Sequence, residues 1–97
     1  MAPTDMAAQS IQMLYFGPLR TALGLSEAEN AVQLALKFTP CTLLQLRDQL
    51  LEQYEGNTDF IYWLQKSSWS VNEEMVDETY ELRGGEVVVA IPPVSGG

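Results

Sequence analysis

Apolar and polar positions change rhythm several times along this chain, and each rhythm predicts a different element. Ile11-Gln12-Met13-Leu14-Tyr15-Phe16 is a short, aromatic, apolar run that stops at Gly17-Pro18, which predicts a first, largely buried strand. Leu19 to Leu23 reads as a short helix, because Pro18 suits a first helical position and Gly24 suits a stop. Val32, Leu34, Leu36 and Phe38 alternate with Gln33, Ala35 and Lys37, the signature of a strand with one wet face. Thr42 and Gln45 have the spacing of a capping box, and Leu43, Leu46, Leu50 and Tyr54 then recur at helical spacing before Gly56. They predict a main helix from about Leu43 to Glu55, with its leucine stripe turned toward a sheet.

Asp59 to Lys66 is aromatic-rich and ambiguous, with room for a single helical turn. Ser68 to Asn72, Met75 to Val76 and Glu78 to Leu82 are short segments of mixed polarity, read together as a small hairpin turning at Asn72-Glu73. Gly84-Gly85 makes a tight turn into Val87-Val88-Val89-Ala90-Ile91, a continuous β-branched run of the kind found in strands buried on both faces. The order of elements puts helices on one face of a mixed sheet, an α+β arrangement of the ubiquitin-like β-grasp type. A sheet covered on one face leaves the other available for docking. Residues 11–91 are assigned to this domain, 1–10 to a flexible N-terminal tail and 92–97 to an extended C-terminal tail.

Size and charge narrow what such a domain can do. With 97 residues and 46% hydrophobic content, the chain supports one core and buries roughly 60–68% of its unfolded surface. That leaves little room for an internal cavity and favours function at the surface or at an end. The net charge is −8, and the five basic residues, Arg20, Lys37, Arg47, Lys66 and Arg83, are scattered singly. No basic patch can be assembled from them, which argues against nucleic acid as a partner. Six acids lie between Glu73 and Glu86 against Arg83 alone; they read first as a solvated surface and second as a docking surface for a basic partner.

Cys41 is the only cysteine, so an internal disulfide cannot form and a cytoplasmic location is expected. Met1 to Gln9 has neither the charged start nor the apolar run of a signal peptide, and no stretch approaches the roughly 20 apolar residues of a membrane span. No membrane partner is expected.

The chain is poor in catalytic groups. It has no histidine, so a zinc site would need carboxylates alone, and a serine or cysteine nucleophile would lack its usual base. No metal and no bound cofactor are expected. Cys41 is read as structural, the alternative being a thiolate stabilised by the N-terminus of the main helix. Glu73-Glu74 lacks the apolar surroundings that would raise one carboxyl selectively, and Gly84-Gly85 lacks the lysine and following helix of a phosphate loop.

What remains is the C-terminal segment Ile91-Pro92-Pro93-Val94-Ser95-Gly96-Gly97. Two terminal glycines alone are weak, since about one random chain in two hundred ends that way. Pro92-Pro93 changes the odds. Neither proline donates a backbone N–H, so the ladder cannot continue and the chain must leave the sheet in a stiff extended form. The stretch from Pro92 to Gly97, at about 3.3 Å per residue, can carry the terminal carboxylate about 20 Å from the domain. Glycine at the last two positions removes every Cβ, so the end can pass a narrow channel. A free carboxylate is unreactive, but transfer to the α-phosphate of ATP gives an acyl adenylate open to a sulfur or amine nucleophile. A partner must perform that activation.

The terminal stretch Gly85-Glu86-Val87-Val88-Val89-Ala90-Ile91-Pro92-Pro93-Val94-Ser95-Gly96-Gly97 resembles the end of the small, sulfur-carrier subunits of molybdopterin synthase, of the MoaD/ThiS ubiquitin-like type. Leu14 to Arg20 and Val71 to Val76 are similar to that family in order and spacing, and the resemblance covers roughly Ile11 to Gly97. Gly17 stands where alanine is usual, Thr21 stands where an acid is common, and Asp59 to Ser70 fits poorly. The resemblance implies a glycyl adenylate and then a thiocarboxylate on Gly97, with clearance from Gly96 and Ser95 in the partner's channel. It also implies partner contacts by Ile91, Pro92, Pro93 and Val94. The implied partners are a ubiquitin-activating-like adenylyltransferase/sulfurtransferase, which consumes ATP, and the large synthase subunit in a heterotetramer. Two sulfurs so delivered convert a cyclic pyranopterin monophosphate into the dithiolene of molybdopterin. Three alternatives share parts of this pattern: a sulfur carrier for thiazole synthesis or tRNA thiolation, a ubiquitin-like modifier of lysines, and an interaction domain with incidental glycines.

Overall fold

The computed structural model describes residues 9–93. The elements in order are β1 (Ser10–Tyr15), α1 (Pro18–Ala22), a 3-10 turn (Glu27–Glu29), β2 (Ala31–Ala35), β3 (Cys41–Thr42), α2 (Leu43–Gln53), α3 (Thr58–Leu64), β4 (Ser68–Val71), β5 (Glu74–Val76), β6 (Glu81–Leu82) and β7 (Val87–Ile91). β2-β1-β7-β4-β5 form a five-stranded mixed sheet, and β3 and β6 form a separate two-stranded one. β7 lies between β1, to which it runs parallel, and β4, to which it runs antiparallel. This is the expected β-grasp order.

Alternation along the strands decides which face is covered. Ile11, Met13 and Tyr15 of β1, Val88 and Ala90 of β7, and Trp69 and Val71 of β4 are buried together with Leu19 of α1, Leu43, Leu46 and Leu50 of α2, and Phe60 and Leu64 of α3. Tyr15 meets Phe60 edge-on at 5.6 Å between ring centroids, a favoured aromatic geometry. Val87 and Val89 are half-buried and Ile91 is exposed. The β-branched run of β7 is therefore not that of a strand covered on both faces. Its position between two strands favours β-branched residues, while helices cover only one side.

The main helix begins where the spacing predicts. The Thr42 hydroxyl accepts from the Gln45 N–H at 3.1 Å and the Gln45 side chain accepts from the Thr42 N–H at 3.0 Å, a complete capping box. Thr42→Ala removes half of it, and an expected loss of about 1 kcal/mol can be read from urea unfolding; no change in midpoint would deny the cap its role.

Three local expectations are corrected. The second strand ends at Ala35, so Phe38 lies outside it and is 47% exposed, while Leu34 and Leu36 are buried. Asp59 to Lys66 does not stop at a single turn: Thr58–Leu64 is a seven-residue helix capped by Asn57, which accepts from the Phe60 N–H at 3.2 Å. The hairpin is β4-β5 only, turning at Asn72 and Glu73, both with positive φ of 49° and 73°. Its presumed third member, around Glu81–Leu82, pairs instead with Cys41–Thr42. That pairing joins segments distant in sequence, and two-residue strands carry no periodicity to reveal it.

The acidic run is largely absorbed locally. Asp77 accepts from the Thr79 N–H at 2.9 Å and from its hydroxyl, and these bonds hold its carboxyl below the ordinary range. Glu78 pairs with Arg47 at 3.5 Å and Glu81 with Arg83 at 3.2 Å. Glu86 accepts from the Arg83 and Gly84 N–H groups, both at 2.8 Å, fixing the turn into β7. Four of the six carboxylates thus stabilise turns or pair with arginines, which supports the reading as a solvated, structural surface.

Candidate functional site: the root of the C-terminal segment

β7 ends because of its sequence. Ile91 pairs with Ser68 in the last rung of the ladder, and Pro92-Pro93 supplies no further N–H. Ile91 is 36% exposed, Pro92 is half-buried and Pro93 is exposed. Val94, Ser95, Gly96 and Gly97 lie outside the described residues. Of the predicted site residues, the structure therefore places Ile91, Pro92 and Pro93 side by side at one end of the sheet.

It adds residues that sequence reasoning did not assign to the site. Phe16, Gly17, Pro18 and Trp63 join Ile91, Pro92 and Pro93 around an open, mainly apolar groove of about 570 Å³. Gly17 has φ 57° and ψ −132°, a conformation that side-chain-bearing residues rarely adopt. A methyl placed on it would meet Pro92 Cγ at 3.8 Å. The signals were present as the Phe16-Gly17-Pro18 break and the aromatic cluster at Phe60, Tyr62 and Trp63. Only folding brings the two beside the end of β7.

Electrostatics at this root is mild. Arg20, in the helix that follows Gly17, approaches Glu27 at 4.0 Å across a half-open surface, which contributes little. Among the described residues no group of three metal-ligating side chains comes together, and no helix is long and apolar enough to cross a membrane.

Cys41 sits away from this groove in β3, paired with Leu82 and 1% exposed. Burial raises its thiol pKa, so the thiolate form is disfavoured and the structural reading is supported over a helix-stabilised nucleophile. Because the pKa is raised on folding, this thiol contributes stability below the ordinary thiol range and loses it as pH rises through the folded value. Cys41→Ser is expected to lower stability while keeping delivery of any C-terminal cargo within about twofold of the unaltered chain. Loss of delivery from a folded variant would reveal a sulfur relay.

The chain is similar to several known proteins. A curated molybdopterin synthase sulfur carrier subunit from Mycosarcoma maydis is 36% identical over 92 residues, covering 91% of this chain and 94% of the relative. SAMP1 from Haloferax volcanii shares the fold with a TM-score of 0.69 at 18% identity, over 91% of this chain and 99% of that one. So does a chain in the complex of subunits 1 and 2 of the molybdopterin-converting factor from Helicobacter pylori, with a TM-score of 0.59 at 24% identity over 91% and 99%. The model of the ThiS family matches residues 13–97, from the first strand through both terminal glycines, and the chain belongs to that family.

Proposed function

We propose that this chain is the sulfur-carrier subunit of a molybdopterin synthase. The observation that carries the reading is the forced exit of the chain at Pro92-Pro93 from the central strand of a β-grasp sheet, in a sequence that ends Gly96-Gly97. Its 36% identity to a curated sulfur carrier subunit over nearly the whole length supports the assignment. Gly97 is the residue that is adenylated and then carries the thiocarboxylate; Gly96 and Ser95 give clearance in the partner's channel. The ATP and the activating groups come from a ubiquitin-activating-like adenylyltransferase/sulfurtransferase.

The receiving partner is the large synthase subunit, which docks on the uncovered face and its edge, with contacts at Ile91, Pro92, Pro93 and Val94. Leu14, Val87 and Val89 lie half-buried on that face, and Met75 and Ile91 are exposed at 64% and 36%, an apolar surface of the kind proteins use for docking.

The test is direct. Incubation with the activating enzyme, ATP and a sulfur donor is expected to raise the intact mass by the exchange of one oxygen for sulfur, confined to the C-terminal peptide. An unchanged mass with an active enzyme would defeat the reading. Stable lysine conjugates in cells would instead favour a modifier, and co-purification with a thiazole synthase would favour the thiazole carrier.

A further inference from the structure

We propose that Trp63, together with Phe16 and Gly17, is a seat on which Pro92 rests as the chain leaves β7, and that this seat aims the carrier terminus at its partner. The inference rests on the sulfur-carrier reading for its consequence but not for its geometry.

The seat is built from parts far apart in sequence. Gly17 turns the chain out of β1 with a positive φ of 57°, and the Thr21 N–H returns to its carbonyl at 3.1 Å. Its bare Cα faces the Pro92 ring. Trp63 is supplied by α3, which is tied to α1 by the Asn57 side-chain amide donating to the Ala22 carbonyl at 3.0 Å. The Ser67 hydroxyl donates to the Trp63 carbonyl at 2.8 Å, and the Tyr62 ring meets the indole edge-on at 5.1 Å. The indole therefore stands on a braced helix and lines one groove with Pro18 and Pro92.

Fixing this joint matters because it is the first link outside the ladder. Ile91 is held by its rung with Ser68, and as the residue before a proline it is confined to extended backbone. Pro92 has its φ fixed by its ring. Within that extended range the ψ of Ile91 sets where the Pro92 ring lies in the groove it shares with Gly17 and Trp63. Five further residues at about 3.3 Å each reach about 16 Å at most, so a 10° swing at this joint moves the direction of the end by about 3 Å. A displacement of about 1 Å at a reacting centre is enough to cost a large part of a rate. Trp63 and Gly17 are thus positioning residues, acting through Pro92.

The test uses the full chain with Trp63→Ala and Trp63→Phe. In the unaltered protein a nuclear Overhauser contact is expected between the Gly17 Hα protons and the Pro92 ring. It should vanish in Trp63→Ala and return in Trp63→Phe. In the reconstituted synthase, Trp63→Ala is expected to lower the turnover of sulfur transfer by about tenfold, with affinity for the large subunit held within about twofold and most of the turnover regained by Trp63→Phe. Persistence of the Gly17–Pro92 contact in Trp63→Ala overturns the seat. Turnover and affinity falling together also overturn it, because Trp63 would then be a docking residue. If the unaltered chain transfers no sulfur at all, the carrier reading has failed, and the seat is judged on the Overhauser contact alone.

Discussion

Deleting Gly97 is expected to abolish sulfur transfer while leaving the affinity for the large subunit within about threefold of the unaltered chain. The deletion withdraws the terminal carboxylate by one residue, about 3.3 Å. Attack requires reacting atoms roughly 3 to 3.5 Å apart, so the group no longer reaches either the activating centre or the synthase pocket. The proposed docking surface lies on the sheet, whose buried core the deletion leaves in place. Appending one residue after Gly97 is expected to have the same effect for the opposite reason: the chain overshoots and presents an amide where a carboxylate is needed. Intact mass after activation and single-turnover formation of molybdopterin check both variants. Normal thiocarboxylate formation and transfer by either one would sink the carrier reading.

Ile91→Lys is expected to weaken association with the large subunit by about 2 kcal/mol, roughly 30-fold in Kd. Ile91 is well placed for this test. It is 36% exposed, closes the last rung opposite Ser68 and continues the line of Val87 and Val89 on the uncovered face. A lysine there costs the fold little, since the position already meets solvent, but it places a charge that must be desolvated when the partner arrives. Met75, on the edge strand β5 two strands from β7 and 64% exposed, is the internal comparison: Met75→Lys reports whether the docked area extends to that edge or stays near the end of β7. Calorimetric titration reads both. Unchanged affinity for a folded Ile91→Lys variant would move the interface elsewhere.

Elements of this fold are legible in the sequence according to how local their determinants are. The main helix was legible because both its determinants are local: a side chain at Thr42 satisfying a backbone donor three residues away, and leucines at the helical repeat. The turn at Asn72-Glu73 was legible for a similar reason, since asparagine tolerates the left-handed backbone that the hairpin needs. Pro92-Pro93 announced the exit from the sheet because the absence of two donors is a property of those residues in any fold.

Other features needed the folded chain. Phe38 continues an alternating pattern, yet it falls outside β2 and stands exposed, because a period shows which residues share a face and not where pairing stops. Thr58–Leu64 contains aromatic residues that are only moderate helix formers, and it becomes a helix through the burial of Phe60 and Leu64 against a core that no short window reveals. β3 and β6 find each other across about forty residues in a two-residue pairing with no sequence signal of its own.

By itself, then, the sequence determined a core-forming domain, a donor-free exit at Pro92-Pro93 and the side-chain-free pair Gly96-Gly97 beyond it, which are the features the proposed carrier role uses. Tertiary structure alone decided what stands beside that exit. Gly17 and Trp63 lie 46 positions apart in the chain, and they line one groove with Pro92 because the parallel pairing of β1 with β7 brings the Phe16–Pro18 turn to the end of β7 while the packing of α3 on α1 brings Trp63 there. Residues so far apart are joined by the cooperative burial of one core, which no local preference encodes.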